Sequence, residues 1–450
     1  MFSYLKSEKY NIQKEAGQTL RIGIPIIIAQ ILQMSMTFVD TVMAGNLSAG
    51  DLAAVAIGGA LLNPIIMLAA GTLMAINPIV AQHFGARNFK EIGRSTQQAL
   101  WLSMILSLPF FFLLRNMEWA LYLLDVAPEI IGPAMAYLHA MSWGIFPIFG
   151  FYVLRYFNEG LSATKPSMFV ALLGVIVNIG GNYVLMYGKL GFPALGATGT
   201  GYSSSMVAMA MFIGMLVFTA RYKPYRRFNI FTKLRLPQWS YLKEIFNIGV
   251  PIGLSSTMET STFALVSLFM GSLGMMAVAG HQVAINFSSM MFMIPFGLST
   301  AITTRVGHVA GRNDIAEARH RGYVGIFLAT SCMTITALVM LLLPDLITGM
   351  YTDDPGVQEI AISLLYMAAI FQISDGLQVS SYGALRGLKD TKFPMVVNFV
   401  SYWLVGLPLG YYLGITQGVG PQGLWIGLIV GLTIAAVLHN VRFYKQTKHS

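Results

Sequence analysis

Ile22-Gly23-Ile24-Pro25 and Ile248-Gly249-Val250-Pro251 stand 226 residues apart, and each opens a long apolar run. The echo continues downstream. Ala44-Gly45 is answered by Met270-Gly271 at the same offset, and His83-Phe84-Gly85-Ala86-Arg87-Asn88 by His308-Val309-Ala310-Gly311-Arg312-Asn313 at 225. Gly160-Leu161 and Thr164-Lys165 return as Gly387-Leu388 and Thr391-Lys392 at 227. Residues 1–220 and 245–450 therefore read as two copies of one unit, joined by a basic segment at 221–244. The proline that opens each copy frees a backbone carbonyl one turn back and permits a bend in its helix.

Composition identifies the surroundings of these units. Apolar residues make up 55% of the chain and charged residues 10%, against about 25% charged in a soluble domain. So few charges cannot cover a water-facing surface. Apolar stretches of about 20 residues, long enough to cross roughly 30 Å of hydrocarbon, are expected near 20–44, 52–82, 95–115, 130–155, 164–187, 194–220, 245–270, 277–304, 322–344, 358–385, 393–415 and 420–443. The first has a basic flank but carries Gln30, Gln33 and Asp40 and no small-residue cleavage site, so it reads as a retained helix. A single cysteine, Cys332, excludes an intrachain disulfide framework and a cysteine-ligated metal site.

The formal charge of +9 raises the question of nucleic acid, and the placement of the charges answers it. One side of the expected membrane takes Lys6, Lys9, Lys14 and Arg21, then Arg87, Lys90 and Arg94, Arg155 with Lys165, and the connector residues Arg221, Lys223, Arg226, Arg227, Lys233, Arg235 and Lys243. The same side takes Arg305, Arg312, Arg319, Arg321, Arg386, Lys389, Lys392, Arg442, Lys445 and Lys448. Only Arg115 and Lys189 of the 28 basic residues fall opposite, among Asp125, Glu129, Asp345, Asp353, Asp354 and Glu359. This is a topology signal: the basic side is expected to be cytoplasmic, both termini with it, and no nucleic acid is implied. Two units of six spans each then insert with the same orientation, related by an axis along the membrane normal, and a cavity between them can open to either face.

Three acids are expected well inside spans: Asp40, Glu259 and Asp375. Each costs about 2.5–3.5 kcal/mol at a helix centre, so each should face a wet cavity or a partner. With no Lys or Arg expected at that depth, such a carboxylate either takes a proton or binds a cation. Gln30, Gln33, Thr37 and Asp40 recur at steps of three and four, as do Ser255, Glu259 and Thr262; Gln372, Asp375 and Tyr382 follow at +3 and +7. Asn178 and Asn182, one turn apart, can supply oxygen ligands or bond a carboxylate; the alternative for all of these polar groups is interhelical hydrogen bonding. Met290-Met291-Phe292-Met293 reads either as an adaptable pocket wall or as packing, and His281 as a hydrogen-bonded packing residue in preference to a proton relay. At offset 226 Glu259 falls opposite Gln33 and Asp40 opposite Val266, so the halves differ in their acids.

Phe38-Val39-Asp40-Thr41-Val42-Met43-Ala44-Gly45, with Ala81-Gln82-His83-Phe84-Gly85-Ala86 and the duplicated halves, resembles the multidrug and toxic compound extrusion family over about residues 15–445, closest to its NorM-type branch. The resemblance implies an all-α polytopic membrane protein with twelve transmembrane helices in two pseudo-symmetric six-helix bundles around a central cavity. It implies export of lipophilic organic cations and other small-molecule drugs in exchange for Na+ or H+, with no cofactor. It further implies a bacterial inner-membrane protein, in contact with lipid and working as a monomer. Carried over by residue, the coupling site takes Asp40, Asn178, Asn182 and Ser204 in the first half and Glu259 and Asp375, a possible Na+ site, in the second. Gln33, Thr37, Phe371, Tyr382 and Met291 are expected to line the substrate cavity. Phe371 departs from the family pattern, which has Tyr there in some members; a hydroxyl oxygen is lost and a cation–π contact is what remains.

The rival readings differ in what they require. A lipid-linked oligosaccharide flippase of the same broad superfamily wants basic residues deep in its cavity, and none is expected. A major-facilitator arrangement fits the span count, but the 83–94 loop lacks that family's Gly/Asp/Arg-rich signature. An enzyme or an ATP-driven pump wants an HExxH, nucleophile or Walker motif, and the sequence has none. A channel has no need of duplicated rocking halves.

Overall fold

The structure is a computed structural model that describes residues 11–232 and 235–448; Lys6, Lys9 and Lys233 of the basic segments lie outside the described residues. The chain runs α1 (Ile12–Gly45), α2 (Ala49–Leu73), α3 (Ile76–Gly85), α4 (Phe89–Arg115), α5 (Glu118–Leu123), α6 (Pro128–Ser142), α7 (Ile145–Gly160), α8 (Lys165–Leu185) and α9 (Ala197–Arg221). After the connector come α10 (Trp239–Ser272), α11 (Met275–Ala310), α12 (Ile315–Leu342), α13 (Pro344–Gly349), α14 (Pro355–Gly387), α15 (Lys392–Asn398), α16 (Leu407–Tyr411) and α17 (Pro421–Lys448). The segments Phe399–Gly406 and Tyr412–Thr416 on either side of α16 are π-helical. No strand occurs among the described residues.

Ten helical stretches are long and apolar enough to cross a bilayer, and α6 with α7, bent by 49°, makes an eleventh. The twelfth is α10. Its 34 residues rise about 51 Å, but Ser255, Ser256, Thr257, Glu259, Thr260, Ser261 and Thr262 crowd its middle and make it less apolar than the others. The twelve expected spans are thus all helical, with ends moved by several residues. Two are broken, and a proline explains each break. Pro78 cannot donate to Met74, where α2 gives way to α3, and Pro147 cannot donate to Trp143, where α6 gives way to α7. Pro408 likewise leaves Leu404 without its usual donor, next to the widened π-helical turns.

The helices form two compact units, and these divide the chain differently from the sequence repeat. One holds the N-terminal stretch to Ile27, Phe84–Ala86 and Leu254–Ser450; the other holds Ile28–His83 and Arg87–Gly253. Each copy's first helix is therefore split two residues past its proline, Pro25 in α1 and Pro251 in α10. Glycines allow the exchanged ends to dock. In the first unit a Cβ on Gly23 would lie 2.7 Å from Leu298 Cδ2 on α11, and in the second Gly249 and Gly253 abut the Thr72 and Leu68 carbonyls of α2. The connector is structured and belongs to the second unit: Tyr225 donates to Asn158 Oδ1 at 2.8 Å, and α4 holds it through Trp101 Nε1 to the Arg235 carbonyl (2.7 Å) and Gln97 to the Ile230 carbonyl.

Within the first unit, Gly406, Gly410 and Gly414 face Gly423, Gly427 and Gly431 of α17, each series at four-residue spacing. A Cβ on Gly427 would meet the backbone of Gly406 and Gly410, which cannot move aside as a side chain can. Packing of this kind holds helices together where lipid removes the hydrophobic drive between them. Gly427→Leu is accordingly expected to destabilise the protein by at least the ~1–3 kcal/mol of an overpacked core, read as a lowered thermal transition of the purified protein. An unchanged transition would show that α17 is not seated by this glycine seam.

Candidate cation and substrate sites

The second unit builds its site on Asp40. α8 packs on α9 closely enough that a Cβ on Gly181 would touch the Ser203 side chain, and Ser203 Oγ donates to the Asn178 carbonyl at 3.3 Å. This seats Asn178 and Asn182, both buried, so that their amides donate to the same Asp40 oxygen at 2.8 and 2.6 Å. The Ser204 side chain is a further, weaker contact of that carboxylate, and buried Tyr137 of α6 lies in its electrostatic range. The two amide oxygens, buried and without protein partners, remain as acceptors beside it. Asp40, Asn178, Asn182 and Ser204 thus come together as expected. Tyr137 was not foreseen: on α6 it sits in an apolar run with no periodic polar neighbour to mark it.

The other members of the α1 stripe do something different. Thr37 is exposed, while Gln33 accepts a hydrogen bond from Arg155 Nη1 at 3.0 Å. Here the sequence reading needs correction. Arg155, Arg305 and Arg386 were assigned to basic loops, yet all three are buried in helices. Arg155 is paired with Glu159 at 2.7 Å, Arg305 with Glu15, and Arg386 donates to Ser299 Oγ at 2.7 Å and lies over the Tyr382 ring at 5.0 Å. A guanidinium tolerates burial when its fork is satisfied. Basic residues do therefore lie within helices, at the ends that carry the basic loops.

The first unit builds a different site. Asp375 of α14 is 3% exposed and interacts electrostatically with half-buried Glu259 of α10. Unlike Asp40, neither carboxylate accepts a hydrogen bond among the described residues. Tyr382, buried two turns beyond Asp375, lies near Ser255 and Glu259. Phe371 faces away from solvent, its ring 5.9 Å from Phe263 and 5.7 Å from Trp425, so it is a member of an aromatic core; Met291 packs half-buried against the same core. His281 hydrogen-bonds Ser267 at 3.0 Å and accepts from Trp425 Nε1 at 3.2 Å, which bears out a packing role. Buried Tyr402 and Gln378 join this neighbourhood and were missed. Tyr402 is carried on a π-helical turn, and the 3.6-residue period used to read faces does not apply there.

Twelve spans in a duplicated chain, with a hydrogen-bonded acid in one unit and a pair of acids in the other, define a polytopic secondary-transporter architecture and no enzyme. The chain belongs to the MatE family, the multidrug and toxic compound extrusion transporters, whose profile matches residues 25–184 and again 251–412. Those two matches begin 226 residues apart, the offset of the internal repeat. Relatives include the multidrug resistance protein MdtK of Photorhabdus laumondii, 42% identical over 94% of each chain. PmpM of Pseudomonas aeruginosa is 41% identical over 98% of this chain and 94% of its own, and NorM of Photobacterium profundum 39% identical over 96% of each. The fold matches an outward-facing multidrug resistance MATE family transporter with a TM-score of 0.88 at 19% identity, covering 98% of both chains. It also matches the eukaryotic MATE transporter AtDTX14 with a TM-score of 0.87 at 18% identity, covering 97% of this chain and 98% of that one.

Proposed function

We propose that this chain is a secondary active antiporter that expels amphipathic, often cationic compounds in exchange for an inward flow of Na+ or H+. The observation that carries the reading is the contrast between the acids. Asp40 is held by two amide donors, while Glu259 and Asp375 face each other without a donor, and like charges so placed call for a proton or a cation. Relatives named as multidrug resistance proteins support the substrate class and weigh against a flippase. The basic loops, with the positive-inside rule, support an inner-membrane protein with both termini cytoplasmic, in contact with lipid and active as a monomer. Coupling requires that ion and drug prefer different arrangements of the helices, since a ligand with equal affinity for both shifts nothing. Pro25 and Pro251, where the chain passes between compact units, are the natural places for α1 and α10 to bend.

Reconstitution in liposomes tests this directly. Efflux of a cationic dye is expected under an imposed Na+ gradient, a pH gradient, or both, and is expected to collapse when the gradients are dissipated. Efflux at the same rate without any gradient would refute antiport. Asp375→Asn and Asp40→Asn are expected to differ in how they change the ion dependence, because the two acids occupy unlike surroundings; identical changes would show that the sites do not divide the work.

A further inference from the structure

Beside the acid pair stand polar groups that the protein itself leaves unused. The Tyr402 hydroxyl, 3% exposed, and the Gln378 side-chain oxygen, 1% exposed, have no hydrogen-bond partner; nor have Tyr382 OH and Ser255 Oγ. Tyr402 neighbours Gln378 and lies within electrostatic range of both Glu259 and Asp375. Its position is fixed from the next residue, since the Trp403 indole donates to the Met258 carbonyl at 3.3 Å and pins the π-helical turn against the stretch of α10 that carries Glu259. Gln378 is one turn beyond Asp375 on α14, and Ser255 one turn before Glu259 on α10. Three elements thus converge on the carboxylates with neutral oxygens.

A buried polar group without a partner costs about 1–3 kcal/mol, and native proteins keep few of them. Several beside two carboxylates point to a ligand. A proton needs one carboxylate oxygen and no shell, so neutral oxygens around it serve nothing. A hard cation needs several oxygen ligands, and hydroxyl and amide oxygens supply lone pairs without adding charge. Buried Arg386, three turns from Asp375, is directed to Ser299 and the Tyr382 ring and so does not fill the place of a counter-ion.

We infer that Tyr402 and Gln378 complete, with Glu259 and Asp375, an oxygen-lined seat for Na+, and that the Tyr402 hydroxyl is the ligand that makes this site select Na+ over a bare proton. The inference rests on the reading of these acids as the coupling-ion site. It also accounts for the phenylalanine at 371: the phenolic oxygen comes from the π-helical turn, and position 371 is free to pack in the aromatic core.

The test uses the purified full chain, with thermal unfolding followed in choline chloride, KCl and NaCl at equal ionic strength. Na+ is expected to raise the transition saturably, as a ligand of the folded state does, with K+ and choline without effect. Tyr402→Phe is expected to raise the half-saturating Na+ concentration at least tenfold while leaving the transition in choline unchanged, and Gln378→Leu to act in the same direction. Tyr366→Phe, at a 45% exposed position, should titrate like the parent. Should Tyr402→Phe fail to fold, Gln378→Leu carries the same expectation. A wild-type protein indifferent to Na+, or equally stabilised by K+, overturns the inference, as does a Tyr402→Phe variant with unaltered Na+ affinity. Dye efflux separates the two levels: a protein indifferent to Na+ that exports on a pH gradient remains an antiporter and only the Na+ seat is lost, whereas no export on either gradient removes the antiporter reading itself.

Discussion

Asp40→Asn is expected to reduce gradient-driven dye efflux in proteoliposomes to the level of protein-free vesicles while leaving the thermal transition of the purified protein in place. The two halves of that expectation have separate causes. The substituted amide keeps an oxygen where Asn178 and Asn182 donate at 2.8 and 2.6 Å, so the ties among α1, α8 and α9 survive. What it removes is the negative charge, and with it the capacity to take up a proton or attract a cation. Buried amides give a carboxylate orientation without neutralising it, so nothing else at the site can take over the charge. Efflux by Asp40→Asn at the parental rate would remove this residue from the coupling site, and a large fall in the thermal transition would mean that it serves chiefly as a structural acceptor.

Glu15→Ala is expected to cost about 3–5 kcal/mol, the usual penalty for breaking a buried ion pair by deleting one partner. Within the first unit Glu15, near the start of α1, accepts from Arg305 of α11 through both oxygens, at 2.5 and 2.6 Å, and lies 3.7 Å from Arg321 of α12. The side chains of Glu15 and Arg305 are 9% and 8% exposed, so screening by water is weak. Gln18 accepts from Arg305 at 2.7 Å and would hold the orphaned guanidinium only in part. A neutral amide does not balance a buried charge. The loss should appear as a lowered thermal transition, and the double substitution Glu15→Leu with Arg305→Met should recover most of it, since a well-packed apolar pair is often as stable as the ionic one. If Glu15→Ala melts with the parent, the pair contributes no net stability.

The second unit contains the counterpart of this tie at the repeat offset. Tyr241, 226 residues after Glu15, donates to Glu91 at 2.6 Å, and Glu91 pairs with Arg94 at 2.7 Å, as Glu317 pairs with Arg321. The duplicated chain keeps the place of the contact and changes its chemistry, from a buried bidentate ion pair to a single phenolic hydrogen bond. The acids of the two sites show the same divergence.

Much of this was legible before any coordinates. Hydropathy sets the number of spans because a bilayer removes every alternative to a helix that satisfies its own backbone. The repeat at Ile22–Pro25 and Ile248–Pro251 sets the number of units, and the cost of charge in hydrocarbon marks Asp40, Glu259 and Asp375 as residues with a task. The glycines at 406, 410, 414 and 423, 427, 431 were also there to be read, since their four-residue spacing is written in the chain. These features are local or periodic, so the sequence by itself determined them.

Tertiary structure alone decided the rest. No local signal told that α1 and α10 would each be shared between compact units at their prolines, because that depends on which distant backbone a glycine can approach. Nor could spacing show that Arg155, Arg305 and Arg386 would be buried, since a guanidinium enters a helix bundle only if a partner elsewhere in the chain meets it. Tyr402 was hidden for a related reason: a π-helical turn breaks the angular rule that assigns residues to faces. Burial, pairing and direction belong to pairs of residues far apart in the chain, and only the folded chain brings such pairs together.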